Sequence, residues 1–195
     1  MAEDATDQLA TLDFALHALQ DQIVTLHDEQ MDTASNCEPW TVRRLASHAL
    51  NNQLFWGGAV TGEETVSFEA TMGAEPYNGD LGDFADEVTG RALEMWRTDG
   101  VFDSTHVTPL GELPGSVVIN FAIIDALCHA WDIAASVGDP VEFPPEMIPA
   151  ISLVVAATCT DAARDHDLIK PVPAIAADAT ETEQLMALAG RAVSR

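Results

Sequence analysis

The segment Asp125-Ala-Leu-Cys-His129-Ala-Trp-Asp132 places polar groups at positions i, i+4 and i+7 of an otherwise apolar run that extends over residues 117–137. A run that is apolar on every side predicts a helix buried in the core of the protein. Burying a carboxylate and an imidazole without partners costs several kcal/mol. The polar side chains of this helix therefore need a group that compensates them.

One interpretation is a metal site. Asp125 and His129 lie one helical turn apart, with Cβ atoms ~5–6 Å from each other, so both can bind one ion. A third ligand must come from another helix, and His48 is the best candidate because it borders the apolar side of its own segment. Two histidines and one carboxylate leave coordination positions open, as in catalytic metal sites. The sequence therefore predicts a site at His48, Asp125 and His129.

Other interpretations stay open at this stage. A single histidine on an apolar face is more often a hydrogen-bonded core residue, and an Asp125–His129 pair can be a simple buried hydrogen bond. Asp132 can accept the second ring N–H of a ligating histidine, or it can form a salt bridge or cap a loop. Asn52 is a further candidate beside the ligands, because it follows His48 by one turn.

The remaining histidines and the cysteines give weaker signals. Cys37 precedes the helix of His48, and it either lies near the open coordination face or is a buried, inert thiol. The other histidines occur among acidic, amide or loop residues and are predicted to be solvated: His17, His27, His106 and His166. The odd number of cysteines and the lack of a CxxC motif indicate free thiols in a reducing compartment.

The pattern along the chain is typical of an all-α protein. Leucine and isoleucine at alternating spacings of three and four predict a first helix over residues 9–26. Thr41 is a candidate N-cap for a second helix that ends near Val60. Residues 28–38 are polar and rich in turn residues. Residues 62–83 have no clear period, and we interpret them as the long crossover that a bundle with parallel consecutive helices requires.

The second half continues this pattern. A third helix is predicted over residues 84–95, and residues 101–114 suggest a small hairpin. The buried fourth helix begins at 114–116 and ends at Gly138, a fifth begins at 144–146, and a short helix covers 181–191. We expect a metal-binding helical bundle over residues 1–170 and a C-terminal extension over residues 171–195, with its short helix packed on the bundle.

The charge balance excludes some classes of function. The chain has 32 acidic and 8 basic residues, a net charge of −24. Such a surface repels phosphate backbones and anionic lipids, so neither a nucleic acid nor a membrane is an expected partner. The N-terminal residues lack the basic and apolar regions of a secretory signal, and no apolar run reaches the ~20 residues of a membrane span. A cytoplasmic protein is expected, as a monomer or a homodimer.

The segment from Cys37 to His48, with Glu-Pro-Trp40-Thr41 inside it, resembles the opening motif of the DinB-like superfamily. The resemblance is to the actinobacterial branch related to the metal-binding domain of mycothiol-dependent maleylpyruvate isomerase. Leu113-Pro-Gly and the 125–134 segment resemble the second motif of that group. The end of the chain, around residues 185–191, is similar to its usual C-terminal sequence.

The resemblance implies a DinB-like four-helix bundle with a long crossover, in which His48, Asp125 and His129 bind a divalent ion, usually zinc and in some relatives nickel. It also implies that a small-molecule thiol, of which mycothiol is one, binds the metal as a thiolate and attacks an electrophile. The isomerase has Glu at the position of Asp125, so the shorter carboxylate is expected to shift the position or preference of the ion. It also has a second domain after the bundle, and isomerisation of maleylpyruvate itself is therefore not expected.

The sequence thus leads to two hypotheses of different classes. The first is a metal-dependent thiol transferase, isomerase or detoxification enzyme. The second is a non-enzymatic, metal-bound helical module for binding or stress response, in which the ion only compensates the buried polar residues. An open coordination position over a pocket favours the enzyme, and a fourth protein ligand favours the module.

Overall fold

The computed structural model of the protein describes residues 2–73, 75–139 and 141–192. Four long helices form a bundle, and shorter elements cover its ends. In chain order, the elements are α1 (Ala2–Val24), α2 (Asp28–Met31), α3 (Val42–Thr61), α4 (Phe68–Gly73), α5 (Leu81–Trp96), β1 (Thr105–Thr108), β2 (Gly111–Pro114), α6 (Gly115–Val137), α7 (Ile148–Thr158), α8 (Asp161–Asp165) and α9 (Glu181–Leu188). The predicted all-α bundle is confirmed.

The helices α1 and α3 each pack against both α5 and α6. The helices α3 and α5 run parallel, because contacts join their starts and also their ends. Near the start of α3, Arg43 donates to the carbonyl of Tyr77, just before α5, at 3.1 Å. Near the other end, the backbone of Gly57 lies against the Met95 side chain. The connection between α3 and α5 is therefore the predicted long crossover.

The helix α6 is the buried helix that the opening segment predicts. Its length and composition alone would allow it to cross a membrane, but 72% of its most apolar window is buried inside the bundle. Its start follows the predicted hairpin, in which β1 and β2 pair antiparallel. Its end is capped by Gly138 in the left-handed conformation, with φ of 76°. The apolar character of α6 is thus explained by its position among the other helices.

Several predicted boundaries need correction. The polar segment 28–38 contains the short helix α2, and the crossover contains α4, whose Thr71 is buried. The fifth predicted helix, α7, begins at Ile148, a few residues later than expected, because the chain first forms a turn. The terminal helix α9 ends at Leu188 and is followed by Gly190 with φ of 78°. These differences concern short segments whose helices depend on tertiary contacts.

Two glycines provide a test of the packing at the start of α6. A Cβ atom on Gly115 would lie 2.1 Å from the backbone oxygen of Val101, so the backbone would have to move. We expect Gly115→Ala to lower the free energy of unfolding by ~1–3 kcal/mol. Gly90 is exposed on α5 and has no atom within 4 Å of such a Cβ. Gly90→Ala is the control and should raise stability by ~0.5–1 kcal/mol. Urea unfolding of both variants measures the difference, and equal stabilities would contradict the observed packing.

Candidate metal centre

Three candidate ligands converge in the interior of the bundle, between α3 and α6. One donor atom each from His48, Asp125 and His129 lies within 4.8 Å of the other two. The rings of His48 and His129 meet edge to face, with centroids 5.1 Å apart. The His129 Nε2 atom is 3.5 Å from Asp125 Oδ1. This distance is close to ~3.4 Å, the edge of a tetrahedron whose metal–ligand bonds are ~2.1 Å long.

The crossover fixes the orientation of His48. Its Nδ1 atom lies 2.8 Å from the backbone oxygen of Thr71 in α4. Because a carbonyl can only accept, Nδ1 carries the proton and Nε2 carries the lone pair that can bind a metal or accept a hydrogen bond. The ring of Trp40 packs against the imidazole, with centroids 4.5 Å apart. The contact with Thr71 could not be predicted from the sequence, because every residue has a backbone carbonyl and the residue type does not indicate which one accepts a hydrogen bond.

His129 is oriented in the same way by a carboxylate. Its Nδ1 atom is 3.2 Å from Asp132 Oδ2, so Nε2 faces Asp125. Asp132 also pairs with Arg191, whose Nη2 atom is 3.1 Å from the same oxygen. The two roles considered for Asp132, partner of a histidine and member of a salt bridge, therefore occur together. Arg191 was not predicted as part of this region.

Two amides from α3 hold the third candidate ligand. Asn52 Nδ2 donates to Asp125 Oδ1 at 3.0 Å and lies 3.1 Å from His48 Nε2. Gln53 Nε2 donates to Asp125 Oδ2 at 3.0 Å. The Oε1 atom of Gln53 is buried and has no hydrogen-bond partner within the described part of the chain. The sequence pointed to Asn52 but not to Gln53, although the two residues are adjacent.

The pKa values of the candidate ligands shift in different directions. Burial, together with the charge of His129, lowers the pKa of His48, so this ring is neutral near pH 7. Burial also disfavours the charged forms of His129 and Asp125, but their mutual attraction outweighs it. The pKa of His129 is therefore held well above its usual range, and that of Asp125 below it.

These electrostatics fit a divalent cation. The partly buried carboxylate of Asp125 is compensated by a positive charge on His129 and by an N–H of Asn52, whose amide nitrogen also lies 3.1 Å from His48 Nε2. A cation among the three donor atoms would provide the same compensation without a proton on Nε2 of His129. The residues present therefore suit a metal ion, with two nitrogen ligands and one oxygen ligand.

The cysteines differ from one another in environment. Cys37 is partly exposed, and its Sγ atom is 3.3 Å from Asp132 Oδ2. With His129 and Asp132 it forms a second group of possible metal ligands. Cys37 is therefore not a buried thiol, and it lies beside the candidate site. Burial raises the pKa of Cys128 to about 12, so that side chain remains a protonated thiol.

The histidines outside the site are mostly as predicted. His17, His27 and His166 are exposed. His106 is an exception, because it is partly buried and its Nε2 atom lies 2.7 Å from the backbone oxygen of Val101. The prediction of solvation is wrong for this residue, since the hairpin turns it back against the segment before it.

Comparisons with known proteins agree with this architecture. Residues 12–134 match the family described as the mycothiol maleylpyruvate isomerase N-terminal domain. Two uncharacterized proteins, from two strains of Mycobacterium tuberculosis, are each 30% identical over 127 residues. This match spans 64% of the present chain and 64% of the length of each relative.

Solved structures show the same fold. The crystal structures of the mycothiol-dependent maleylpyruvate isomerase and of a histidine-to-alanine mutant of it superpose with TM-scores of 0.60 and 0.61. Each is 19% identical, and the similarity covers 77% of this chain and 69% of the other. At this level of identity, the likeness establishes a shared fold.

Proposed function

Because the chain belongs to the family of mycothiol maleylpyruvate isomerase N-terminal domains, we propose that it binds a divalent metal ion and uses it for chemistry on a small-molecule thiol. The proposed ligands are His48, Asp125 and His129, the proposed ion is zinc, with nickel as the alternative, and the first thiol to test is mycothiol. The observation that carries the proposal is the convergence of three donor atoms within 4.8 Å, from two buried histidines and a partly buried aspartate.

An ion held by these residues would lower the pKa of a bound thiol and so favour the nucleophilic thiolate at neutral pH. The chain contributes the geometry. The Thr71 carbonyl and the Asp132 carboxylate fix the two imidazoles with Nε2 directed inward. The Asn52 and Gln53 amides hold the Asp125 carboxylate. Because these partners are already in place, little side-chain freedom is lost when a ligand binds.

A pocket of about 640 Å³ that includes several polar and charged side chains, which we call the polar pocket, is the proposed route for the thiol. Its lining includes Cys37, Trp40, Asp132, Lys170 and Arg191. Trp40 packs on His48, and Asp132 contacts Nδ1 of His129, so this pocket reaches the residues that flank the two histidines. Its polar groups suit a hydroxyl- and amide-bearing thiol better than an apolar molecule.

The test is a conjugation assay with the zinc-loaded protein, a thiol and a haloarene or strained-ring electrophile. We expect the unmodified protein to accelerate conjugation, and His48→Ala and Asp125→Ala to reduce the rate at least ~10-fold, equivalent to ~1.4 kcal/mol. The control is His106→Ala, which removes a partly buried histidine outside the site. Metal content is measured for each variant, and equal rates in all four proteins would refute metal-dependent thiol chemistry.

One observation favours the non-enzymatic alternative. Cys37, His129 and Asp132 form a second, separate set of possible ligands, so a metal ion could be held there by protein groups that include a thiol. A coordination shell filled by protein groups is typical of structural metal sites. Zinc bound without conjugation activity, combined with weaker zinc binding in Cys37→Ser, would support a metal-bound binding module.

A further inference from the structure

A second, smaller pocket of about 260 Å³ also reaches the candidate metal centre. Asp125, a proposed ligand, is part of its lining, and so is Arg191. These are the two charged residues that line it, and both are engaged elsewhere. Asp125 accepts from Asn52 and Gln53, and Arg191 pairs with Asp132. The pocket therefore presents no uncompensated charge to a ligand.

Aromatic and aliphatic side chains form the walls of this pocket, which we call the aromatic pocket. The rings of Trp56 and Phe121 stack with centroids 5.6 Å apart and an angle of 20° between their planes. Large apolar side chains that also line the pocket are exposed to solvent: Phe68, Leu110 and Leu168. Exposed apolar side chains grouped around a concave site are typical of a binding surface for an apolar ligand.

We propose that the aromatic pocket binds the electrophile of the thiol reaction and that this electrophile is an uncharged, largely apolar molecule. The proposal rests on the proposed function and specifies its second substrate. The volume is just below the ~300–1,000 Å³ typical of pockets for drug-sized ligands, so a small molecule of about one to three aromatic rings fits best. Flat rings are favoured because they can stack against Trp56 and Phe121.

The charge of the protein supports an uncharged substrate. With a net charge of −24, the surface repels anions over a Debye length of ~8 Å at physiological salt. An anion that entered the aromatic pocket would lose its hydration and would find Arg191 already paired with the buried Asp132, while the open position on the proposed metal ion would be taken by the thiolate. A neutral molecule is not repelled by the surface charge and loses much less hydration free energy when it enters the pocket.

The reaction with a haloarene illustrates the proposed arrangement. With 1-chloro-2,4-dinitrobenzene, the thiol sulfur forms a bond to the ring carbon that carries chlorine. Chloride leaves with the electron pair of the carbon–chlorine bond, and the thiol proton passes to water. The ring occupies the aromatic pocket beside Asp125, while the thiol approaches through the polar pocket beside Asp132.

A matched pair of substitutions in α8 tests this pocket. Ala163 lines it, whereas the neighbouring Ala162 is exposed and does not. We expect Ala163→Trp to fill the pocket and weaken binding of the uncharged fluorescent probe N-phenyl-1-naphthylamine at least ~10-fold, equivalent to ~1.4 kcal/mol. Ala162→Trp should bind the probe as the unmodified protein does. Added 1-chloro-2,4-dinitrobenzene should displace the probe.

The outcomes separate this inference from the proposed function. Unchanged probe binding in Ala163→Trp overturns the inference, whether or not the protein conjugates thiols. If Ala162→Trp also loses the probe, the variant Phe121→Leu is measured instead, because it removes one stacked ring but keeps an apolar side chain. An unchanged Kd of the probe for Phe121→Leu overturns the inference. Probe binding without any conjugation refutes the proposed function alone. In an active protein, Ala163→Trp should raise the KM of the haloarene ~10-fold and leave the KM of the thiol unchanged.

Discussion

Replacement of His129 by alanine is expected to abolish stoichiometric zinc binding and the rise in melting temperature that zinc gives the unmodified protein. The reason is geometric, because the Nε2 atom of His129 faces Asp125 and its ring meets that of His48. Zinc that binds only the folded state stabilises it by ~2.7 kcal/mol at 100 times its Kd. For a protein of this size, that is an increase of roughly 5–11 °C.

The fold itself should survive the substitution. The core contains many fully buried side chains from all four long helices, so the bundle does not depend on a metal as a zinc finger does. Helical circular dichroism should therefore be retained in His129→Ala. Metal content is measured by elemental analysis and stability by thermal unfolding with and without zinc, with His106→Ala as control. Full zinc occupancy in His129→Ala would exclude His129 as a ligand.

The parts of this structure that could be predicted from the sequence depend on local patterns. The continuous apolar run predicted the buried helix α6, and Thr41 caps α3 by accepting from the backbone N–H of Arg44 at 3.3 Å. The spacing of Asp125 and His129 was enough to place them on one face of α6. Their convergence with His48 required a choice among the five other histidines, which the apolar setting of His48 supported.

The parts that could not be predicted depend on contacts between distant segments. The carbonyl of Thr71 orients His48 from a segment without any helical period. Arg191 reaches Asp132 across 59 residues of sequence, and Cys37 reaches it across 95. Side-chain identity alone does not indicate such pairs, because their geometry is set by how the helices pack. The ligand candidates and two of their neighbours, Asp132 and Asn52, were therefore accessible from the sequence. The contacts made by Thr71, Gln53 and Arg191 were not.

Replacement of Arg191 by alanine is expected to lower the free energy of unfolding by about 3 kcal/mol, because it leaves the buried carboxylate of Asp132 without its guanidinium partner. Only 2% of the Asp132 side chain is exposed, so water cannot replace the lost hydrogen bonds. His129 and Asn36 still contact Asp132, which places the effect at the lower end of the usual range for a broken buried pair. Chemical unfolding measures the change.

Two further variants test whether the loss of stability in Arg191→Ala comes from the broken ion pair with Asp132. The double variant Asp132→Asn with Arg191→Ala removes both charges, and we expect it to recover part of the loss. Arg97→Ala breaks an exposed ion pair with Asp13 and should cost at most ~1 kcal/mol. If Arg191→Ala is no more destabilising than Arg97→Ala, the Asp132–Arg191 pair does not stabilise the fold.

The unfolding of Arg191→Ala also tests whether the bundle and the C-terminal extension fold as one unit. We propose that residues 1–170 form the bundle and that the C-terminal extension, described as far as residue 192, completes its core. In that extension, α9 packs on α7 and buries Leu185 and Met186. Arg191 then connects the extension to Asp132, which orients His129. If the extension and bundle unfold together, Arg191→Ala will shift one cooperative transition to lower denaturant. A separate early transition, with the main one unchanged, would show that the extension folds as an independent unit.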